Sequence, residues 1–333
     1  MEAVTARKSV RIGQVGLGQW GKKLLRNFGE LTDVAWLCDV DGRETAAVAQ
    51  RHPAARVTAS FDDVLADDAV DAVVIATPVP THYELARKAL EADKHVFVEK
   101  PPAMRGAEME ELCELSEERG RVLMPGHLLL YHPAVRTLKG IVESGDLGDV
   151  LCIYGNRQNL GTIRTHENAL WSLGVHDLSV LLFLMEEEPS EVWAHGHAFL
   201  NPRVEDIVFC YLRFPSERIA HLHLSWLDPH KIRRITVVGR DKMAVFDDME
   251  PERKVTVYDK APEEPATRYG EWKTRTGDIY SPKVSTTEPL RLECEQFVSF
   301  VRGEGDAARA ARDGLLVVRA LEQLQASLER ERV

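Results

Sequence analysis

Val10-Arg11-Ile12-Gly13-Gln14-Val15-Gly16-Leu17-Gly18-Gln19-Trp20-Gly21 decides the architecture of the first third of this 333-residue chain. Residues 10–15 read as a short strand. Glycines follow at once, and residues 22–28 continue with helix-like spacing. The pattern Gly16-x-Gly18-x-x-Gly21 allows a tight turn, close backbone approach to a pyrophosphate, and close packing of helix on strand. Gln19 and Trp20 lie inside that turn, where free N–H groups at the helix start would receive the pyrophosphate. Glycines alone are weak evidence. A second strand over residues 34–38 ends in Asp39, about twenty residues past the glycines, where an acid accepts hydrogen bonds from the adenosine ribose. The same acid repels a 2′-phosphate, so NAD is favoured over NADP; Arg43, close by, pulls the other way. A merely structural glycine turn with a capping aspartate is the competing reading.

Moving outward, the alternation continues. Residues 55–60 read as a third strand and 62–66 as a short helix. An apolar strand over 72–76 closes on Thr77-Pro78-Val79-Pro80-Thr81-His82, and 83–92 has helical spacing. Next comes Val96-Phe97-Val98-Glu99-Lys100-Pro101, a buried strand that stops at an acid, a base and a proline. A helix over 106–119 and a strand over 121–125 complete the series. Strands alternating with helices imply a parallel, doubly wound sheet. Ligands of such sheets bind outside the carboxyl ends of the strands, which is where Thr77, Pro78 and Lys100 fall.

The bulk properties bound the function. At this length two domains are the default, and the reading is α/β: a dinucleotide-binding domain over 1–126 and a second α+β domain over 127–333. The net charge of −11 argues against a nucleic-acid partner. Residues 1–11 lack an apolar core segment and no run approaches membrane-spanning length. Five scattered cysteines, Cys38, Cys113, Cys152, Cys210 and Cys294, form no CxxC and fit free thiols in a reducing cytoplasm.

Past Gly126 the pattern changes. A helix over 133–143 and a strand over 150–155 precede a polar, irregular stretch, 156–168. A strongly apolar helix spans 169–185. Strands are then expected over 191–200, 206–214, 218–227, 233–238, 243–246 and 255–258, forming a large open and mostly antiparallel sheet. One face of that sheet needs cover, so a homodimer or homotetramer is expected. Residues 261–289 read as a long loop, and helices over 290–301 and 308–328 end the chain.

In Trp171-Ser172-Leu173-Gly174-Val175-His176-Asp177 an ionisable pair sits within the apolar helix. Burying such groups costs free energy unless they are paired or used. By i, i+4 spacing His176 shares a face with Ser172. His176 is either a satisfied core histidine or the proton acceptor for an alcohol losing a hydride. His195-Gly196-His197 and His221-Leu222-His223 lack the ligands that would complete a metal site, so surface or interface histidines, and no metal, are expected. Arg157 and Arg164, in the polar stretch, are either solvated surface arginines or partners of a diphosphate.

The order Gly16-x-Gly18-x-x-Gly21, Asp39, Thr77-Pro78…His82, Glu99-Lys100-Pro101 and His176-Asp177 resembles the glucose–fructose oxidoreductase, inositol dehydrogenase and MocA (Gfo/Idh/MocA) family over almost the whole chain. That resemblance implies an NAD(P)-binding Rossmann domain, then a domain whose open sheet serves oligomerisation. It implies that Lys100 and His176 flank the reacting carbinol. Gly16, Gly18, Gln19, Trp20, Gly21, Asp39, Thr77, Pro78, His82, Glu99 and Lys100 are expected around the cofactor, and Arg157, Arg164, Asn168, Ser172 and His176 around the substrate. Two positions depart: Val79 stands where the family often has Asn, and Ser172 where many sugar and inositol dehydrogenases carry Asp. The segments 164–172 and 226–231 are similar to a branch acting on nucleotide sugars, the UDP-N-acetylglucosamine 3-dehydrogenases. Oxidation of a secondary hydroxyl, at C3, with NAD is the activity implied. A free sugar or inositol as substrate, or a non-catalytic NAD-binding sensor, are the alternatives.

Overall fold

The computed structural model describes residues 9–265 and 272–331. The chain divides into two compact units, 1–127 with 290–318, and 128–289 with 319–333.

In the first unit strands and helices alternate as the sequence leads one to expect: β1 (Arg11–Val15), α1 (Gln19–Leu31), β2 (Asp33–Cys38), α2 (Gly42–Ala49), β3 (Arg56–Thr58), α3 (Phe61–Leu65), β4 (Ala72–Ile75), α4 (His82–Glu91), β5 (His95–Glu99), α5 (Gly106–Arg119) and β6 (Leu123–Gly126). The strands form one sheet of order β3-β2-β1-β4-β5-β6, and every pairing in it is parallel. The order reverses between β1 and β4, so a crevice opens where their carboxyl ends diverge. All four residues of β4 are buried, as befits a strand covered by helices on both faces.

The second unit opens with α6 (Pro133–Glu143) and β7 (Val150–Gln158). A π-turn, Leu170–Gly174, leads directly into α7 (Val175–Met185). Then come β8 (Glu191–His197), β9 (Ile207–Arg213), β10 (Ile219–Ser225), β11 (Ile232–Gly239), β12 (Met243–Asp247), β13 (Val255–Pro265) and β14 (Trp272–Tyr280). Together they make a sheet of order β14-β13-β12-β11-β7-β10-β9-β8. Only the β7–β10 pairing is parallel; the rest are antiparallel.

Two differences from the sequence reading have physical causes. The stretch 261–289, read as a loop, instead carries most of the β13–β14 hairpin (its residues 266–271 lie outside the described residues). Nearly every residue of β14 is exposed, so no hydrophobic period marks it as a strand. Residues 156–158, read as irregular, continue β7 between β10 and β11.

Helices α8 (Pro289–Val301) and α9 (Ala307–Glu331) close the chain. The expected second domain ran unbroken from 127 to the end, whereas residues 290–318 group with the first unit. The cause is packing. Phe297 of α8 meets Phe28 of α1 and Phe97 of β5 edge-to-face, with ring centroids 5.8 and 5.7 Å apart, and Phe28 and Phe97 lie 5.6 Å from each other. Such a triad buries large apolar area in a favoured ring geometry. No periodicity in the sequence announces which sheet a terminal helix covers.

Candidate active site: a dinucleotide cleft and its neighbouring lysine

Each glycine of the turn after β1 has its own reason. Gly16 adopts φ +86°, and a Cβ on it would lie 2.5 Å from the Ala76 carbonyl oxygen. A Cβ on Gly21 would stand 2.1 Å from the Gly16 carbonyl oxygen, so this glycine lets α1 rest against the turn. Gly18 differs. Its backbone is extended (φ −63°, ψ −169°) and a Cβ there would meet nothing within 4 Å. A side chain at Gly18 is therefore barred neither by backbone nor by neighbours, and what it would occupy is the open space in front of α1. The first intrahelical bond, from the Lys22 N–H to the Gly18 carbonyl (3.0 Å), leaves the amides of Gln19, Trp20 and Gly21 without an intrahelical acceptor. Those donors and the helix dipole favour an anion.

In front of them lies a cleft of about 690 Å³ lined by Gly16, Gly18, Gln19, Trp20, Asp39, Thr77 and Pro78, residues the sequence had singled out. Asp39 is fixed at its rim: one carboxylate oxygen accepts the Leu17 amide (2.7 Å) and the other the Asp41 amide (2.9 Å). Arg43 is committed elsewhere, its guanidinium paired with Asp41 at 2.6 Å. The cleft also has apolar walls that sequence reasoning passed over, among them Val40, Phe61 and Leu85. Val40 is 90% exposed, and the one signal in the sequence was an apolar residue directly after the acid that ends β2. The open donors, the space a Gly18 side chain would fill, the rim carboxylate and the apolar walls fit an adenine dinucleotide.

Two further sites from the sequence are placed behind the cleft rather than in it. His82, at the start of α4, is buried. Its Nε2 lies 2.7 Å from the Thr77 carbonyl oxygen and its Nδ1 2.8 Å from that of Pro101. It braces the Thr77 loop against the segment after β5, and Thr81 Oγ1 tightens the same loop by donating to the Pro78 carbonyl (2.8 Å). Burial, reinforced by the charge of Lys100, lowers the His82 pKa. Glu99, the last residue of β5, is also buried, and it too faces inward. One of its oxygens accepts the indole N–H of Trp20 and the other the Lys100 amide (3.2 Å). Desolvation raises its pKa against the opposing effect of Trp20 and Lys100. Trp20 thus lines the cleft while its indole N–H holds Glu99. Lys100 follows Glu99 through a chain that continues as a cis Lys100–Pro101 peptide, and its side chain is half-buried. Beyond β6, His127 is buried and its Nε2 has no hydrogen-bond partner; burial pushes its pKa down to about 4.

The expected substrate residues lie in the second unit and have separate surroundings. Arg157 is buried on β7 with its Nε donating to Asp177 of α7, so its charge is already matched within the fold rather than offered to a diphosphate. Burial raises the Asp177 pKa, and Arg157 opposes that rise. Arg164 is exposed and 4.0 Å from Glu167. Asn168 is buried, its amide donating to Glu205 (2.8 Å) and Gln325 (3.0 Å) while its oxygen accepts the Trp171 amide (3.2 Å). Ser172 and His176 are half-buried. Ser172 lies in the π-turn, whose wider winding departs from the α spacing used to align it with His176. The paired histidines stand on the sheet surface: His221 stacks on Tyr154 (5.0 Å between centroids) and His223 on Phe209 (4.4 Å). Among the described residues, no three His, Cys, Asp or Glu side chains are grouped to hold a metal ion, and no helix is long and apolar enough to cross a membrane. None of the five cysteines is in a disulfide.

The architecture and the cleft agree with two family models. Residues 10–127 match the GFO_IDH_MocA oxidoreductase family, NAD-binding Rossmann fold, and residues 135–245 match the GFO/IDH/MocA C-terminal domain. The chain belongs to the Gfo/Idh/MocA oxidoreductase family. It is similar to YrbE of Bacillus subtilis, described as an oxidoreductase, at 27% identity over 60% of this chain and 61% of that one. UDP-N-acetylglucosamine 3-dehydrogenase of Acidithiobacillus ferrooxidans is 28% identical over 72% of this chain and 74% of its own. Inositol 2-dehydrogenase of Acidothermus cellulolyticus is 29% identical over 84% and 83%. The crystal structure of the Acidithiobacillus enzyme superposes with a TM-score of 0.83 at 25% identity, covering 96% of this chain and 97% of that one. A Gfo/Idh/MocA protein with this cleft is an NAD-binding oxidoreductase.

Proposed function

We propose that this Gfo/Idh/MocA protein oxidises the C3 hydroxyl of a nucleotide sugar of the UDP-N-acetylglucosamine type to a 3-keto sugar, with NAD as acceptor. The observation that carries the reading is Lys100. It leaves the carboxyl end of β5 with a buried carboxylate directly behind it, in the same unit as a cleft suited to a dinucleotide. Bound NAD supplies a two-electron acceptor for the hydride leaving C3. The chain itself must take the hydroxyl proton, and Lys100 and His176 are the two groups proposed for that step. A lysine beside a cationic ring and partly desolvated loses affinity for its proton, which suits it to accept one near neutral pH. Asp39 at the rim, with Arg43 turned to Asp41, supports NAD over NADP, because a 2′-phosphate would meet two carboxylates.

A second copy of the chain is proposed to cover the open face of the second sheet. There the register lines up Trp193, Tyr211, His221 and Tyr154 across β8, β9, β10 and β7, with His195, Phe209 and His223 in the next row. Trp193 and Phe209 are 43% and 51% exposed, more apolar surface than a monomer ordinarily leaves open. Sedimentation should give a dimer or tetramer, shifted toward monomer by Phe209→Glu.

The test of function is the appearance of reduced nicotinamide from NAD with UDP-N-acetylglucosamine, UDP-glucose, free glucose and myo-inositol in parallel. Reduction with a UDP-sugar alone supports the reading, and Lys100→Ala should then abolish turnover while NAD still binds. The inositol 2-dehydrogenase relative, aligned over more of the chain than the nucleotide-sugar enzyme, favours a second reading. Reduction with inositol alone would establish it in place of the first.

A further inference from the structure

Helix α8 carries a glutamate with no evident structural use. Glu293 is completely buried, and neither carboxyl oxygen has a hydrogen-bond partner. An ionised carboxylate in that state would be strongly unfavourable, so such a group either takes a proton or is used. Its position is fixed by the ring contacts already described. Phe97 and Glu99 lie two residues apart on β5 and point to the same face. Glu293 and Phe297 lie four apart on α8 and share a face of that helix. Since Phe97 packs on Phe297, the same juxtaposition sets Glu293 toward Glu99, and Glu99 is the charged group that acts on Glu293. Gly126 of β6 completes the pocket, because a Cβ on it would come within 3.2 Å of both Glu99 Oε1 and the Phe97 ring.

We propose that Glu99 and Glu293 share one proton, so that Glu293 is a positioning residue that sets the charge beneath Lys100. Two facing carboxyls in a dry pocket cannot both ionise, since like charges and desolvation each oppose the second deprotonation. The carboxyl that keeps the proton donates it to the other, which satisfies otherwise orphaned oxygens. The remaining single negative charge accepts the Trp20 indole and Lys100 amide hydrogens. The groups around Lys100 and Glu99 do not change this count. His127 is kept neutral at pH 7 by its burial, Trp20 only donates, and the charge of Lys100 is balanced by the one carboxylate. Burial and the Glu99 charge together hold the Glu293 carboxyl well above the usual carboxylate range, in keeping with a neutral acid. When pH rises far enough to remove the shared proton, a second negative charge arises under Lys100 and strengthens its hold on its own proton. The consequence for Lys100 rests on the proposed catalytic role; the shared proton does not.

Infrared difference spectroscopy of the full-length protein tests the pair without substrate. The carbonyl stretch of a neutral carboxylic acid should be present at pH 7, disappear on alkaline titration, and be missing at pH 7 in Glu293→Gln, whose amide can donate without ionising. Its absence from the wild-type protein, which needs no variant to fold, or its persistence in Glu293→Gln would overturn the proposal. Thermal unfolding gives a second readout. A raised folded-state pKa contributes stability that is full below the unfolded pKa and is lost as pH rises through the folded one. The wild-type melting temperature should therefore fall between about pH 5 and pH 8 by about 3 °C or more relative to Glu293→Gln. Parallel curves would count against it. With an active substrate in hand, the kcat/KM limbs of wild type and Glu293→Gln should coincide while both carry one negative charge under Lys100, and the wild-type limb should extend to higher pH than the variant's once the shared proton is lost. Limbs that coincide at every pH would overturn the positioning role, whereas activity toward no sugar at all would overturn the proposed function and leave the proton measurement standing.

Discussion

Gly18 and Gly21 are three residues apart in one turn, and the structure assigns them opposite kinds of necessity. Replacing Gly21 with alanine puts a Cβ 2.1 Å from the Gly16 carbonyl oxygen and 2.9 Å from its carbon. Both obstacles are backbone, and the first is about 1 Å closer than real Cβ atoms approach. The turn must open, at an overpacking cost of about 1–3 kcal/mol, or a drop of about 2–4 °C in melting temperature for each of those kcal/mol. Gly18→Ala meets nothing within 4 Å and keeps an allowed backbone. Stiffening the unfolded chain contributes about 0.4–1 kcal/mol, roughly offset by a poorer helix cap, where glycine ranks above alanine. Stability should stay within about 0.5 kcal/mol of wild type. The new methyl group, however, enters the space before the α1 amides, and NAD affinity should fall at least tenfold, about 1.4 kcal/mol. Paired thermal melts and NADH titrations followed by fluorescence give both numbers. If Gly18→Ala binds NADH as wild type does, the dinucleotide does not approach the chain at this turn and the cleft assignment is wrong.

Further expectations concern packing and charge. Phe297→Ala removes one ring of the buried triad and should cost about 3–5 kcal/mol by chemical denaturation, an effect a loosely docked terminal helix would not show. Asp177→Ala leaves Arg157 as a buried charge without its carboxylate, so about 3–5 kcal/mol should be lost; replacing both, with Met at 157 and Leu at 177, should recover much of it. His127 has its folded-state pKa depressed to about 4, so its contribution to stability is present above the unfolded value of 6.5 and lost as pH falls toward 4. That difference corresponds to roughly 3 kcal/mol at 1.36 kcal/mol per unit. His127→Gln should therefore be less sensitive to acid in that window, and an unchanged pH dependence of unfolding would count against burial as the cause. Asp39→Ser should raise the ratio of NADP to NAD affinity, read by parallel titrations.

Much of the first unit could be read directly from the chain because its signals are local. The residues that make the turn after β1, the acid ending β2 and the lysine ending β5 are each fixed by a few neighbours in sequence, and strand–helix alternation dictates a parallel sheet. The second sheet was readable as strands but not in full extent: β14 is almost wholly exposed, so no apolar period betrays it, and Arg157 looked free because nothing in the sequence says that β7 brings it to Asp177. Nor does the sequence say that the side chains of His82 and Glu99, expected around the cofactor, have carbonyls, an indole and an amide as their partners.

By itself, then, the sequence determined the Rossmann half, the cleft-forming glycines and the lysine at the strand end, because backbone conformation and hydrophobic period are properties of short segments. Only the tertiary structure decided which polar groups face solvent and which face one another. It took residues 290–318 into the first unit and packed Phe297 against Phe97 across two hundred residues of chain. Burial and pairing are set by contacts between distant segments, and those contacts, not the residue types, determine where a charge can reside.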